Sequence, residues 1–170
     1  IALNLMDMPQ SVEPTLAHLL AVQKFRIIVT TNFDMLFERA CEKLNLSYRV
    51  FTSSDHECGV DPDSVTIYKI DGTISAPETM ILTMGQRSSV ASNFYFWDAI
   101  ARHLMEKPVA VVGHSISDEA SQGVLERRDK SRKGLYVAPN IDPVMDIMLN
   151  RYKLSAVRVD ADSFMKALRA

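Results

Sequence analysis

Three segments of the sequence pass from an apolar run directly into small polar residues, and these are the places where chemistry could occur. They are VTTNFD (29–34), YKIDGT (68–73) and VVGHSISDE (111–119). Apolar, β-branched runs of this kind predict buried strands, and the carboxyl ends of parallel strands form the edge of an open sheet where ligands bind. We therefore expect the residues that follow these strands to converge there, namely Asn32, Asp71, Gly113 and Ser115.

Each segment taken alone also has a plain structural interpretation. Asn32 after a strand is a common turn former, and Asp118 is a common type of helix N-cap. A G-x-S sequence such as the one at Gly113 also occurs in ordinary strand-to-helix turns. His114 beside a serine suggests a nucleophile elbow, but GHSIS lacks the second glycine that this tight turn requires, which argues against a serine hydrolase.

The elements that must position these segments alternate between strand and helix along the chain. Predicted strands lie at RIIVTT, SYRVFTS, VTIYKI, MILTM, VAVVG, KGLYVAPN and AVRVD. Predicted helices have Ser11, Asp34, and Asn93 or Ser92 as N-caps, or cover DEASQGVLERRD, DPVMDIMLNRYKL and DSFMKALRA. VAVVG is the clearest candidate for a buried strand. The alternation predicts a single α/β domain over residues 1–170 with three layers, a mostly parallel sheet and helices on both of its faces.

Composition argues against several classes of function. The chain has 170 residues, 47% hydrophobic and 24% charged, which suits one compact domain. Its net charge of -2 gives no general attraction to nucleic acid or to an anionic membrane, so neither is an expected partner. The two cysteines, Cys41 and Cys58, form no C-x-x-C pair and are too few for a four-ligand zinc site. Reduced thiols and the lack of a long apolar segment point to the cytoplasm.

The ordered set of motifs resembles the sirtuin-like family of NAD-binding domains, in particular its bacterial zinc-free branch. IVTTNFDMLFE resembles the family's T-x-N-x-D segment, IYKIDGTI its His-Gly segment, VAVVGHSISD its G-x-S-x-x-D segment, and LYVAPNID its strand bordering the adenine ribose. The resemblance runs from about Arg26 to about Ala170. It implies a Rossmann-type domain that holds NAD and breaks the nicotinamide–ribose bond, for protein deacylation, ADP-ribosyl transfer, or NAD hydrolysis in bacterial antiviral defence.

The resemblance assigns one group of residues to the nicotinamide side of the nucleotide. Asn32 matches the Asn that contacts the nicotinamide ribose and helps to place the attacking group. Asp34 matches the acid close to nicotinamide, and Thr30 and Thr31 would line the entry of that pocket.

A second group is assigned to the rest of the nucleotide. Gly113 and Ser115 match the loop that contacts the phosphates through backbone amides and a hydroxyl. Asn140 matches the contact to the adenosine ribose. Independently of the resemblance, Gly72 supplies backbone freedom close to whatever binds beside the D-G-T segment.

The sequence departs from the family pattern in three places. Asp71 stands where catalytic members carry the His that acts as general base, and an Asp with an ordinary pKa near 3.9 is a much weaker base. A carboxylate can still stabilise an oxocarbenium-like transition state. The paired C-x-x-C zinc module is missing, which makes deacylation a weaker expectation. No Gly-rich pyrophosphate loop precedes Arg26, so we expect that the chain lacks an N-terminal strand-loop unit.

Two functional hypotheses therefore stay open. In the first, the domain binds NAD or ADP-ribose nucleotides and acts as an NAD glycohydrolase, with Asn32, Asp71 and Asp34 as catalytic residues. In the second, it is an inactive nucleotide-sensing or oligomerisation module of a larger protein. The aromatic run at residues 94–97 suits either a buried packing helix or an interface such as that of a homo-oligomer.

Overall fold

The structure is a computed structural model that describes residues 12–59, 61–83, 85–86, 93–117 and 119–168. Its packing divides the chain between Phe96 and Trp97 into two compact units. The strands of the described residues form two three-stranded sheets and alternate with helices along the chain. Each pair of neighbouring strands among the described residues is parallel, which confirms the predicted Rossmann-like α/β class.

In the sheet of the first unit, the middle strand is the last of the three along the sequence. The elements are α1 (Leu16–Lys24), β1 (Ile27–Thr30), α2 (Leu36–Lys43), β2 (Tyr48–Thr52), β3 (Val65–Lys69) and the start of α3 (Phe94–Glu106). The strand order is β1-β3-β2. Thr30 and Thr52 both pair with Lys69, so the three strands end at the same level.

The central strand β3 is buried on both faces. Val65 and Ile67 belong to a core cluster with residues of α1, β1 and α2. Tyr68, which alternation directs to the opposite face, stacks on Phe51 at 5.8 Å between ring centroids. Phe96 meets the same ring edge-on at 5.7 Å. All five side chains of β3 are buried, which explains its apolar and β-branched sequence.

The starts of the first helices differ in part from the prediction. The N-cap of α2 is Met35 rather than Asp34. Asp34 lies one residue before the cap, and its Oδ1 accepts the N–H of Leu36 at 3.0 Å. Helix α1 begins at Leu16. The predicted cap Ser11 lies outside the described residues, as does Ser92. Asn93 precedes α3, and its Oδ1 accepts the N–H of Phe96 at 3.5 Å.

The second unit repeats the strand–helix pattern. Its elements after α3 are β4 (Val109–Val112), α4 (Glu119–Glu126), β5 (Gly134–Val137), α5 (Pro143–Tyr152), β6 (Ser155–Val157) and α6 (Ala161–Ala167). The strand order is β4-β5-β6. The core combines Tyr136 of β5 with Leu125 of α4 and Leu149 of α5. None of the described helices is long and apolar enough to cross a membrane.

Three strand predictions need correction. The described part of MILTM, residues 80–83, forms no strand, because the N–H groups of Leu82 and Thr83 are bound by the side chain of Gln86 instead of a neighbouring strand. The strand predicted at AVRVD spans Ser155–Val157, since the chain turns after Val157. VAVVG does form β4, but its side chains are only half-buried.

Candidate functional site

In the first unit, the loops that follow β1 and β3 are joined by backbone hydrogen bonds. The N–H of Ile70 donates to the carbonyl of Thr30 at 2.9 Å, which extends the sheet ladder by one bond. The N–H of Ile74 donates to the carbonyl of Phe33, also at 2.9 Å. The structure therefore brings the predicted T-T-N-F-D and D-G-T segments together at the carboxyl edge of this sheet.

Lys69 lies behind these two loops and binds both of them. Its Nζ donates to the carbonyls of Phe33, at 3.5 Å, and of Asp34. It also donates to Thr73 Oγ1 at 3.0 Å and forms an ion pair with Glu38 Oε1 at 2.7 Å. The Lys69 and Glu38 side chains are only 1% and 3% exposed, so water does not screen this pair.

The T-T-N-F-D loop presents Asn32 to solvent. The N–H of Asn32 donates to Thr30 Oγ1 at 3.0 Å, which is the hydrogen bond of a local Ser/Thr turn. Asn32 is exposed, Thr31 is half-buried, and no hydrogen bond joins the side-chain amide of Asn32 to another described residue. Asp34 is half-buried, with one carboxylate oxygen used by the N–H of Leu36.

The D-G-T loop buries Asp71 and explains the glycine beside it. Asp71 is 9% exposed, and its carbonyl accepts the N–H of Ile81 at 2.9 Å. Gly72 has φ of +90°, and a Cβ there would lie 2.3 Å from the carbonyl oxygen of Thr79. The immediate reason for glycine is therefore the close approach of the chain at Thr79, which is also held by a bond from the N–H of Thr73 to Thr79 Oγ1.

The carboxyl end of β2 reaches the same edge and is clamped by the start of α3. Asp55 Oδ2 accepts the N–H and the hydroxyl of Thr52, at 2.6 and 2.9 Å. Asn93 Nδ2 donates to the carbonyls of Ser53 and Asp55, at 2.9 and 2.8 Å. These bonds fix the third loop of the first unit.

In the second unit, the loop after β4 combines an open glycine with exposed hydroxyls. Gly113 has φ of +63°, and a Cβ there would meet nothing within 4 Å. Ser115 is exposed and shares a hydrogen bond of 2.7 Å with Ser117. Asn140, after β5, is also exposed. Asp118 lies outside the described residues.

The geometry of His114 argues against serine-hydrolase chemistry. Its Nδ1 accepts the N–H of Ile116 at 2.8 Å, so the proton of a neutral ring lies on Nε2. Nε2 is 3.2 Å from Ser121 Oγ and donates to it, and a donor cannot remove the serine proton. The hydroxyl of Tyr136 donates to the His114 carbonyl at 2.8 Å, and burial raises the pKa of Tyr136.

A family model described as SIR2-like domain matches residues 26–156, which is more than half of the chain. The chain belongs to the SIR2-like domain family. A search of curated proteins found no match. Every site residue named from the sequence lies within the matched residues. The match confirms the sirtuin-like resemblance and supports a sirtuin-like nucleotide-binding fold. The family implies that the nucleotide is NAD or a related one.

The sequence motifs of the SIR2-like domain did not reveal Lys69 and Glu38. A lysine inside the run VTIYKI is consistent with a strand whose last residue reaches solvent, whereas the structure buries it. Its partner lies on α2, and no local pattern links the two positions. The clamp by Asn93 was also missed, because only its role as a helix cap is visible in the sequence.

The part of the SIR2-like chain that the structure describes offers no candidate metal site. There, no three His, Cys, Asp or Glu side chains group together in a way that could hold a metal ion. Cys41 lies in the core of the first unit, where burial raises its pKa to about 11. Cys58 is half-buried, and both cysteines are free thiols.

Proposed function

We propose that this SIR2-like domain binds NAD or a related ADP-ribose nucleotide and belongs to the zinc-free bacterial branch of the family. The observation that carries the proposal is the carboxyl edge of the first unit. There, backbone hydrogen bonds join the two loops that carry the family's T-x-N-x-D and His-Gly positions. Asn32, in the first of these loops, is exposed to solvent. This edge is where open α/β sheets bind ligands.

The donor set at this edge suits the nicotinamide riboside. The amide of Asn32 can both donate to and accept from a ribose hydroxyl. Asp34 keeps one carboxylate oxygen for the nicotinamide amide while the other holds Leu36. For the second unit, Gly113 and Ser115 are proposed to contact phosphate, and Asn140 the adenosine ribose. Gly72 and the threonines Thr30 and Thr31 shape the first loop pair rather than react.

The finer proposal is that the domain hydrolyses NAD, as SIR2-like proteins of bacterial antiviral defence do. Water forms a bond to C1′ of the ribose, the bond from C1′ to the nicotinamide nitrogen breaks with its electron pair on nicotinamide, and the water proton is released. Asn32 orients the water and the ribose. Asp71 stabilises the positive charge of the oxocarbenium-like transition state, a role that needs a carboxylate rather than a proton acceptor. The free thiols suit a cytoplasmic location.

The test is to incubate the protein with NAD and to quantify nicotinamide and ADP-ribose by chromatography. Asn32→Ala should abolish nicotinamide release, because it removes the group that orients water. Asn150→Ala is the matched control, since Asn150 is an exposed helix residue of the second unit. Asn32→Ala with turnover equal to the wild type would remove Asn32 from the mechanism.

The second candidate is a non-catalytic nucleotide sensor or oligomerisation module, and the presence of Asp71 in place of His favours it. Asp71→His separates the two candidates. Faster cleavage in the variant would show that the rest of the site is competent. Unchanged absence of cleavage, with NAD still raising the melting temperature, would favour the sensor. Asp71→Asn, nearly equal in size, tests whether the charge matters: an active wild type should lose cleavage.

A further inference from the structure

The buried ammonium of Lys69 connects three segments that are distant in sequence. Its oxygen partners come from the loop after β1, from α2 and from the loop after β3: Phe33, Asp34, Glu38 and Thr73. The loop after β1 carries Asn32, and the loop after β3 carries Asp71. A single cation therefore holds together the two loops of the first unit that carry the proposed nicotinamide-side residues.

The ion pair is poorly arranged for stability alone. Glu38 Oε2 is buried and receives no hydrogen bond from any described residue, so one carboxylate oxygen has lost water without gaining a donor. Buried ion pairs are often no better for stability than apolar side chains of similar volume. What an apolar pair cannot reproduce is the hold of the ammonium on the carbonyls of Phe33 and Asp34.

We propose that Lys69 and Glu38 are positioning residues for the nucleotide site. Lys69 fixes the conformation of residues 30–34 against residues 70–74, and Glu38 holds the ammonium in place. Thr73 connects the same ammonium to the loop of Asp71. Neither residue of the pair reacts, and the link to nucleotide binding rests on the proposed function.

The decisive variant replaces the whole pair, Glu38→Leu with Lys69→Met. Lys69→Met alone strands a buried carboxylate and should lower the melting temperature strongly. The double variant removes both charges and should recover most of that loss. If the pair positions the loops, affinity for NAD or ADP-ribose by calorimetry stays reduced by about tenfold or more despite the recovered stability.

Hydrogen exchange provides a readout that is independent of the nucleotide. The N–H of Ile74 donates to the Phe33 carbonyl that the Lys69 ammonium also binds. The N–H of Ile70 donates to the Thr30 carbonyl, which is not among the oxygens that this ammonium binds. The double variant should exchange Ile74 about tenfold faster or more and leave Ile70 unchanged. Thr73→Val is the milder variant, because it removes one acceptor and keeps the ion pair; it should affect Ile74 in the same direction.

Arg128→Met is the matched control from the second unit. Arg128 is also a buried cation that binds backbone carbonyls, including Tyr152 at 2.8 Å. Its loss should lower stability without changing the ratio of Ile74 to Ile70 exchange. A double variant with wild-type exchange at Ile74 would overturn the positioning role, as would wild-type nucleotide affinity. A wild-type protein that binds neither nucleotide would refute the proposed function, and the exchange ratio would then decide the positioning role alone.

Discussion

Replacing Gly72 by alanine tests how tightly the D-G-T turn is built. Its φ of +90° is unfavourable for a side chain, which costs about 1–2 kcal/mol. The new Cβ would also lie 2.3 Å from the Thr79 carbonyl oxygen and 2.8 Å from Met80 Cα. These are backbone atoms that cannot rotate away, and overpacking of this kind costs about 1–3 kcal/mol. We expect the free energy of unfolding, measured by urea titration, to fall by about 2–5 kcal/mol.

Gly113→Ala is the matched control for this prediction. Gly113 also has a positive φ, of +63°, but its Cβ would meet nothing within 4 Å. Only the conformational cost applies, about 1–2 kcal/mol. Equal losses in the two variants would refute the reasoning, because they would mean that the approach of Thr79 to Gly72 imposes no steric constraint. The comparison applies when the two variants have the same m-value, because a changed m-value reports a change in compactness or a loss of two-state unfolding.

Three further predictions concern single side chains. Asn93→Ala removes two hydrogen bonds to the loop after β2, and the free energy of unfolding in urea should fall by about 1–3 kcal/mol. A thiol reagent at pH 8 should modify Cys58 in the native protein but Cys41 only after unfolding, because Cys41 is fully buried and Cys58 is half-buried. Burial raises the pKa of both thiols, that of Cys41 to about 11. Hydrogen bonds from Ser163 lower the pKa of Asp160, so its stabilising contribution is present above the unfolded pKa of about 3.9 and is lost as pH falls through the folded value. As pH is lowered from 5 to about 2, the melting temperature of Asp160→Asn should therefore fall less than that of the wild type.

The fold class and most elements could be predicted because their signals are local. The run VTIYKI is short, apolar and β-branched, and it forms the central strand β3. MILTM has the same character, but its backbone N–H groups bind the carbonyl of Asp71 and the side chain of Gln86. Whether an apolar run becomes a strand depends on a neighbouring strand, and periodicity does not contain that information.

The loops of the candidate site could be predicted from the sequence, but the side chains that hold those loops in place could not. Asn32 and Asp71 were recognisable because polar residues directly after buried strands follow a general rule of open sheets. The ion pair of Lys69 with Glu38 joins the end of β3 to the first turn of α2. Its formation depends on how α2 packs on the sheet, so its discovery required the three-dimensional structure.

The residues around Asp71 are held by hydrogen bonds, so a substitution of its side chain can test what the carboxylate does. Lys69, two residues before it, binds the loop of Asn32, and the chain at Thr79 leaves no room for a side chain at Gly72, directly after it. Thr73 is bonded on one side to Lys69 and on the other to Thr79. The backbone that carries Asp71 is thus determined by its neighbours. A substitution at Asp71 that keeps size, such as Asn, should therefore change the charge at this edge of the sheet without moving the loop. Any change in NAD binding or cleavage then reports on the carboxylate itself.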